Sequence, residues 1–240
     1  MDAPLPSGLN EAWAELFLSE NLRDVGLGSY DRIFADGTLF PLQRRREMEK
    51  MMSIAESYSP RVVYEIGTDK GGGLYHWCKS LATVEQVIAC EIRGTPFREL
   101  FEEAFPRIDF LWLPESSYDE DAIRKVTDWV RSPIDVLFID GDKNNFDRDF
   151  FAYQALLADP GVVFFHDIQD ESTNHGYQTV LRSVSHGHEE IIDVTESVKS
   201  AKRALGGVPV STSYEAWLRH WCGESCGVGV LRIGDEPCER

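Results

Sequence analysis

The 240-residue chain carries 24 Lys plus Arg against 41 Asp plus Glu, a formal charge of −17. Such a surface repels nucleic-acid backbones and anionic bilayers, so neither is expected as a partner, while cationic cofactors and metal ions are favoured. With 42% hydrophobic residues, a chain of this length can bury one large core, and a soluble α/β domain is the expected class.

No run of about 20 apolar residues is present, so no bilayer-spanning segment is expected. Met1 to Gly8 is short, acidic and proline-bearing, without the apolar stretch of a secretory signal. The five cysteines are scattered, with Cys78 and Cys90 in the expected core. A reduced, cytoplasmic protein is the expectation.

Residues 1–58 read as an N-terminal helical cap of the same domain, and 59–240 as its main body. Asn10 is placed to cap Glu11–Phe17, where Trp13, Leu16 and Phe17 share a face. A Gly/Ser/Asp-rich loop follows, and Pro41 opens a second helix containing Arg44, Arg45 and Arg46. That triple arginine suits a solvated helix face better than an anion site.

From Pro60 onward, apolar runs alternate with helical patterns, which signals a parallel sheet. Strands are predicted at 61–66, 86–91, 108–113, 134–139, 161–166, 189–194 and 227–233. The first ends in Glu65 and Ile66, then breaks into Gly67-Thr68-Asp69-Lys70-Gly71-Gly72-Gly73 and re-emerges as a helix. Ligands bind at the carboxyl ends of such strands. A dinucleotide loop needs a small middle residue in G-x-G-x-x-G so that the backbone can approach a pyrophosphate. Here that residue is Asp69, a like-charge contact, and the Gly-Lys-Ser/Thr end of a phosphate loop is missing. The glycines ask for close approach, and Glu65 and Asp69 ask that the ligand not be a phosphate. S-adenosylmethionine, with its sulfonium and ammonium, fits; Glu65 would accept from the ammonium. A turn that merely closes a strand–helix unit is the alternative.

The second strand ends in Glu91, 24 residues after Gly67, where an acid can accept from ribose hydroxyls. The third ends in Pro114-Glu115-Ser116-Ser117, and Ser117 or Asp119 can cap the next helix. The fourth ends in Asp140-Gly141-Asp142-Lys143 and the fifth in His166-Asp167. These strand ends face one crevice, so Asp140, His166 and Asp167 can converge on a divalent cation. All-oxygen ligation suits Mg²⁺, and the histidine tilts the choice toward Mn²⁺, Fe²⁺ or Zn²⁺. Alternatively, Asp140 touches the cofactor and His166 is buried and hydrogen-bonded.

Glu-Ile-Gly-Thr-x-x-Gly-Gly, then Glu91, Phe138-Ile139-Asp140-Gly141-Asp142 and Pro160-Gly161-Val162-Val163-Phe164-Phe165-His166-Asp167 together resemble a class I S-adenosylmethionine-dependent methyltransferase. More narrowly, they are similar to the macrolide and rhamnosyl O-methyltransferases and the cephalosporin-hydroxylase-like proteins. The resemblance covers roughly residues 50–195 and a strand near Val228–Leu231. It implies a doubly wound, mostly parallel seven-stranded sheet ending in an antiparallel hairpin strand. It also implies that Glu65, Gly67, Thr68, Gly71, Gly72 and Gly73 hold the methionine part, Glu91 the ribose, and Glu115 and Ser116 the adenine, with Asp140 alongside. In similar metal-dependent enzymes, acids at these strand ends bind Mg²⁺ and a substrate hydroxyl pair, and the metal makes the hydroxyl more acidic. Cap helices in such proteins cover the cofactor or form a dimer contact, which leaves a homo-oligomer open.

The chain departs from that pattern twice. Lys143 stands where related sugar O-methyltransferases carry a histidine proposed as general base, and His166 where relatives often have an acid. Beside Asp140 and Asp142 a lysine stays protonated, so it holds an anionic substrate or simply pairs. Other constellations carry less. His186-Gly187-His188-Glu189-Glu190 reads as a solvated loop, and His220-Trp221-Cys222 with Cys226 fits no zinc spacing. In the 195–226 insertion, Tyr214, Trp217, His220 and Trp221 recur at helical spacing, which fits packing or a lid.

The expected protein is an O-methyltransferase for a small hydroxylated molecule, with Asp140, Lys143 and His166 at the reacting centre. Three rivals remain: a cephalosporin-hydroxylase-like enzyme, a non-catalytic nucleoside-binding protein of the same fold, and a nicotinamide oxidoreductase, which Asp69 opposes.

Overall fold

The computed structural model describes residues 45–69, 71–184, 187–191 and 227–234. The expected Asn10 helix, Pro41, Arg44, His186, and the aromatic residues and cysteines of the 195–226 connection lie outside them. In chain order the elements are α1 (Arg45–Ser57), β1 (Val62–Ile66), α2 (Gly72–Ser80), β2 (Gln86–Cys90), α3 (Arg98–Ala104), β3 (Asp109–Leu113) and α4 (Glu120–Trp129). Then come β4 (Ile134–Ile139), α5 (Phe146–Tyr153), β5 (Leu157–His166), α6 (Glu171–Ser183), β6 (His188–Ile191) and β7 (Val228–Ile233).

The strands form one sheet in the order β3-β2-β1-β4-β5-β7-β6. All neighbours are parallel except β7, which runs antiparallel to both β5 and β6. The strands are near-continuous apolar runs because both faces are covered, as parallel sheets require. Successive residues alternate between the two layers. Val63, Val87, Val136, Phe138, Val162 and Phe164 pack with α1, α2 and α3. Tyr64, Ile88, Leu137, Ile139, Val163 and Phe165 pack with α4, α5 and α6. In the first layer Trp77 is fully buried, stacked on Phe164 at 5.9 Å and tilted against Phe138 at 5.8 Å; each such pair contributes about 1 kcal/mol beyond area burial.

Two local devices seat the helices of the second layer. The Asp170 carboxylate accepts from the Ser172 and Thr173 amides at 3.0 and 3.4 Å, capping α6. Gly176 lets α6 press on α5: a Cβ there would lie 2.8 Å from the Phe146 Cβ. One strand is longer than predicted. β5 begins at Leu157, paired with Ile134, and the register then shifts so that Val162 pairs with Val136. Pro160, with no amide hydrogen for the ladder, sits in that irregularity. Strand order reverses between β1 and β4, and at such a switch point the strand ends splay into a crevice.

Candidate cofactor and acceptor site

The crevice is a cavity of about 650 Å³ at the carboxyl ends of the strands. Ile66, Gly67 and Asp69 line it from β1, and Cys90, Glu91, Ile92 and Arg93 from β2. Glu115 to Tyr118 follow β3, Asp140 to Lys143 follow β4, and Asp167 ends β5.

Gly67 sets its floor. Its φ is +85°, and a Cβ there would lie 2.4 Å from the Asp140 carbonyl oxygen. The Asp140 amide donates to the Ile66 carbonyl at 2.8 Å, so the turn lies flush on the end of β4. Asp69 also takes a left-handed conformation, φ +42°, which an aspartate tolerates better than most residues. Its amide donates to Glu91 Oε2 at 2.9 Å, and the Arg93 amide and Nε donate to Oε1 at 3.0 and 3.1 Å. Arg93 Nη2 reaches on to Asp69 Oδ1 at 2.6 Å. Three donors therefore hold the Glu91 carboxylate at the cavity wall. Thr68 is buried, its hydroxyl on the Cys90 carbonyl at 3.3 Å.

Glu65 is not on the wall. It shares the face of Val63, under α2, and is 1% exposed, with Oε2 finding no donor among the described residues. Burial, reinforced by the charge of Asp140, pushes its carboxyl well above the ordinary value. Gly71, Gly72 and Gly73 form the start of α2, with Gly71 at φ +74°.

At the third strand, Glu115 and Ser116 line the cavity and Glu115 pairs with Lys125 Nζ at 2.7 Å. The expected helix cap is absent: the Asp119 side chain makes no capping bond to α4. Ser117 turns inward instead, donating its hydroxyl to buried Asp149, while the Tyr153 hydroxyl donates to the Ser117 carbonyl. Burial raises the Asp149 carboxyl to about 7, against which the Ser117 bond pulls.

At β4 and β5 the expected trio does meet. Single ligand atoms of Asp140, His166 and Asp167 all lie within 4.8 Å of one another. The ladder that sets Ile139 beside Phe165 brings Asp140 next to His166. His166 Nδ1 lies 3.1 Å from Asp140 Oδ1 and 3.4 Å from Asp167 Oδ1. Lys143 joins them, its Nζ donating to Asp140 Oδ1 and ion-paired with Asp167 Oδ2 at 2.8 Å. Burial alone would raise the two carboxyls, but the charges of His166 and Lys143 outweigh it and hold both below the ordinary range. Burial likewise would lower Lys143 and His166, and the two carboxylates override it upward.

A divalent ion fits this donor set by spacing, but the Lys143 ammonium already stands between two of the donors. An ion about 4 Å from the ammonium would be repelled by about 8 kcal/mol at an effective permittivity near 20, and both carboxylates would have to give up the lysine.

Several wall residues were not singled out by the sequence. Ile92 is 69% exposed, an apolar side chain beside Glu91 at the cavity. Tyr118 donates to Asp142 Oδ2 at 3.2 Å, with the Arg148 guanidinium 4.1 Å from its ring centre. Asp149 did leave a signal: it is an acid on the same helical face as Phe146, Phe150 and Tyr153, all buried.

A cavity at the switch point, rimmed by strand-end acids and floored by a glycine turn, sits in a Rossmann-like methyltransferase fold. Residues 64–168 match the model of a methyltransferase-domain family. Comparison with curated proteins gives no match. Among solved structures it is similar to the Bacillus cereus O-methyltransferase in complex with SAH, at 12% identity and TM-score 0.58, covering 95% of this chain and 93% of that one. TomG from Streptomyces achromogenes, an O-methyltransferase involved in tomaymycin synthesis and solved with SAM, gives 14%, 0.56, 95% and 91%. Cofactor-bound Rv0187 from MTB gives 15%, 0.60, 95% and 99%. At these identities the likeness is one of fold. Among the described residues, no helix is long and apolar enough to cross a membrane.

Proposed function

We propose that this protein transfers a methyl group from S-adenosylmethionine to a hydroxyl oxygen of a small molecule. The observation that carries the reading is the Glu91 carboxylate, held by three N–H groups at the wall of a cavity whose glycine floor admits a ligand. Its remaining lone pairs suit a pair of ribose hydroxyls. Ile92 offers an apolar face beside it, and Glu115 and Ser116 offer polar atoms for the adenine. Glu65, buried and short of a donor, suits the ammonium end behind Gly67, with Thr68 and Gly71 to Gly73 shaping the turn. The cofactor supplies a methyl on a sulfonium sulfur, open to direct displacement.

The chain's contribution is placement. Asp140 and Lys143 border the cavity beside the glycine turn, so an acceptor hydroxyl held there lies next to the cofactor pocket. As that oxygen gains its new bond its proton becomes strongly acidic, and the Asp140 carboxylate, though a weak base, is positioned to take it. Lys143, paired with two carboxylates, is not a base. A metal-assisted version of the same transfer would use Asp140, His166 and Asp167; the ammonium already bridging the two carboxylates counts against it.

Calorimetric titration with S-adenosylmethionine, S-adenosylhomocysteine and NAD tests the reading. Binding of the first two is expected, weakened by about 2 kcal/mol, roughly thirtyfold, in Glu91→Ala. Preference for NAD, or no nucleoside binding at all, would sink it.

A further inference from the structure

We propose that Lys143 is a built-in cation of this site: its ammonium fills the place between Asp140 and Asp167 where a divalent ion would sit, and from there it donates to the acceptor's hydroxyl oxygen. The second half rests on the methyl-transfer reading; the first does not.

Position comes first. Lys143 follows Asp140 by three residues in the turn after β4, and its Nζ spans from that carboxylate to Asp167 at the end of β5. A lysine that spans two strand ends occupies the space between their carboxylates, which is also where a shared metal would lie. The oxygen atoms are committed accordingly. Asp167 gives Oδ2 to Lys143 and faces His166 with Oδ1, and Asp140 Oδ1 faces both cations.

Access comes second. A purely structural ion pair has no need of the cavity, yet Lys143 and both of its partners line it, and the lysine side chain keeps 32% of its surface exposed. On another side the Phe146 ring lies 5.4 Å from Nζ, an attractive wall for a cation. An ammonium has three protons. One is donated to Asp140 and the ammonium is ion-paired with Asp167 Oδ2, which leaves a proton for a hydroxyl oxygen in the cavity. Such a donor orients the oxygen's lone pairs as a metal would, but discriminates by hydrogen-bond direction. It therefore selects a single hydroxyl over a chelating pair.

The test uses Mn²⁺ alone, followed by its electron paramagnetic resonance signal, on the intact protein and on Lys143→Met. The intact protein should leave Mn²⁺ free at millimolar concentration. Lys143→Met should bind it at least roughly tenfold more tightly, and adding Asp167→Asn should abolish that gain. Equal affinity in the two proteins, whether tight or absent, overturns the assignment. A second reading needs no variant. In the ¹⁵N spectrum of lysine ammonium groups, one slowly exchanging signal should persist unchanged in millimolar Mg²⁺, and its displacement by Mg²⁺ overturns the proposal. S-adenosylhomocysteine titration of the same intact sample keeps the two ideas apart: failure there removes the methyl acceptor, while the ion measurements still judge the lysine.

Discussion

Gly67→Ala and Gly94→Ala form a matched pair that isolates the packing of the glycine floor. Both glycines have nearly the same left-handed backbone, φ +85° and +83°. Around Gly94 an added Cβ meets nothing within 4 Å, whereas at Gly67 it lies 2.4 Å from the Asp140 carbonyl oxygen and 2.5 Å from its carbon. The conformational cost alone is about 1–2 kcal/mol, partly offset because alanine restricts the unfolded chain, so Gly94→Ala should cost about 1 kcal/mol. Gly67→Ala must also part β1 from β4. Both sides of that clash are backbone, so no side chain can swing away. Overpacking adds about 2 kcal/mol, and stretching the Asp140-to-Ile66 hydrogen bond about 1 more. The expected total is about 4 kcal/mol, a fall in Tm of roughly 10 °C. Urea unfolding followed by tryptophan fluorescence should show the midpoint moving with an unchanged slope. If Gly67→Ala costs no more than Gly94→Ala, the close approach of β1 to β4 is not what that glycine serves.

Two further outcomes follow from carboxylates that hold the fold. Asp149, raised to about 7 by burial from a reference of 3.8, stays protonated in the folded protein while the unfolded chain ionises. Stability should therefore fall as pH rises from about 4 to 7, by at most about 4 kcal/mol, and level off above. Asp149→Asn should flatten that part of the profile measured by thermal unfolding, and an identical slope in both proteins would refute the burial argument. Asp135 Oδ2 accepts from the amides of Arg61 and Val62 at 2.7 and 2.8 Å, tying the start of β1 to β4. Asp135→Ala should cost about 2 kcal/mol in chemical denaturation; a loss within a few tenths would mean solvent replaces the carboxylate freely.

The order of strands and helices was legible because each strand is an apolar run ending in a charge or a glycine. Glu65, Glu91, Asp140 and His166 announced the ends of their strands, and the ends of parallel strands share one rim. What each side chain does at the rim was less legible. Glu65 lies on the Val63 face, beneath α2; the two-residue alternation of a strand carries that information, but the position of the covering helix does not follow from it. Lys143 is readable as a neighbour of Asp140. Its bond to Asp167 depends on β4 and β5 pairing Ile139 with Phe165, a register that local pattern does not specify. Ser117 looked like a helix cap because its own neighbourhood offers amides. A buried carboxylate 32 residues away offered a stronger acceptor.

The placement of β7 bears on how the chain reaches its native state. This strand lies between β5 and β6 in the sheet, although it follows both in sequence. Until Val228–Ile233 has been synthesised, β5 presents Val162, Val163, Phe164 and Phe165 along an open edge with unmade backbone bonds. Such an edge can recruit other chains. Closing it joins segments far apart in sequence, the slow kind of contact. On the ribosome, the first four strands of the parallel sheet can pair while β5 waits for a partner that emerges long afterwards. A chaperone that shields an extended apolar strand should therefore matter more for this half of the sheet than for β1 to β4.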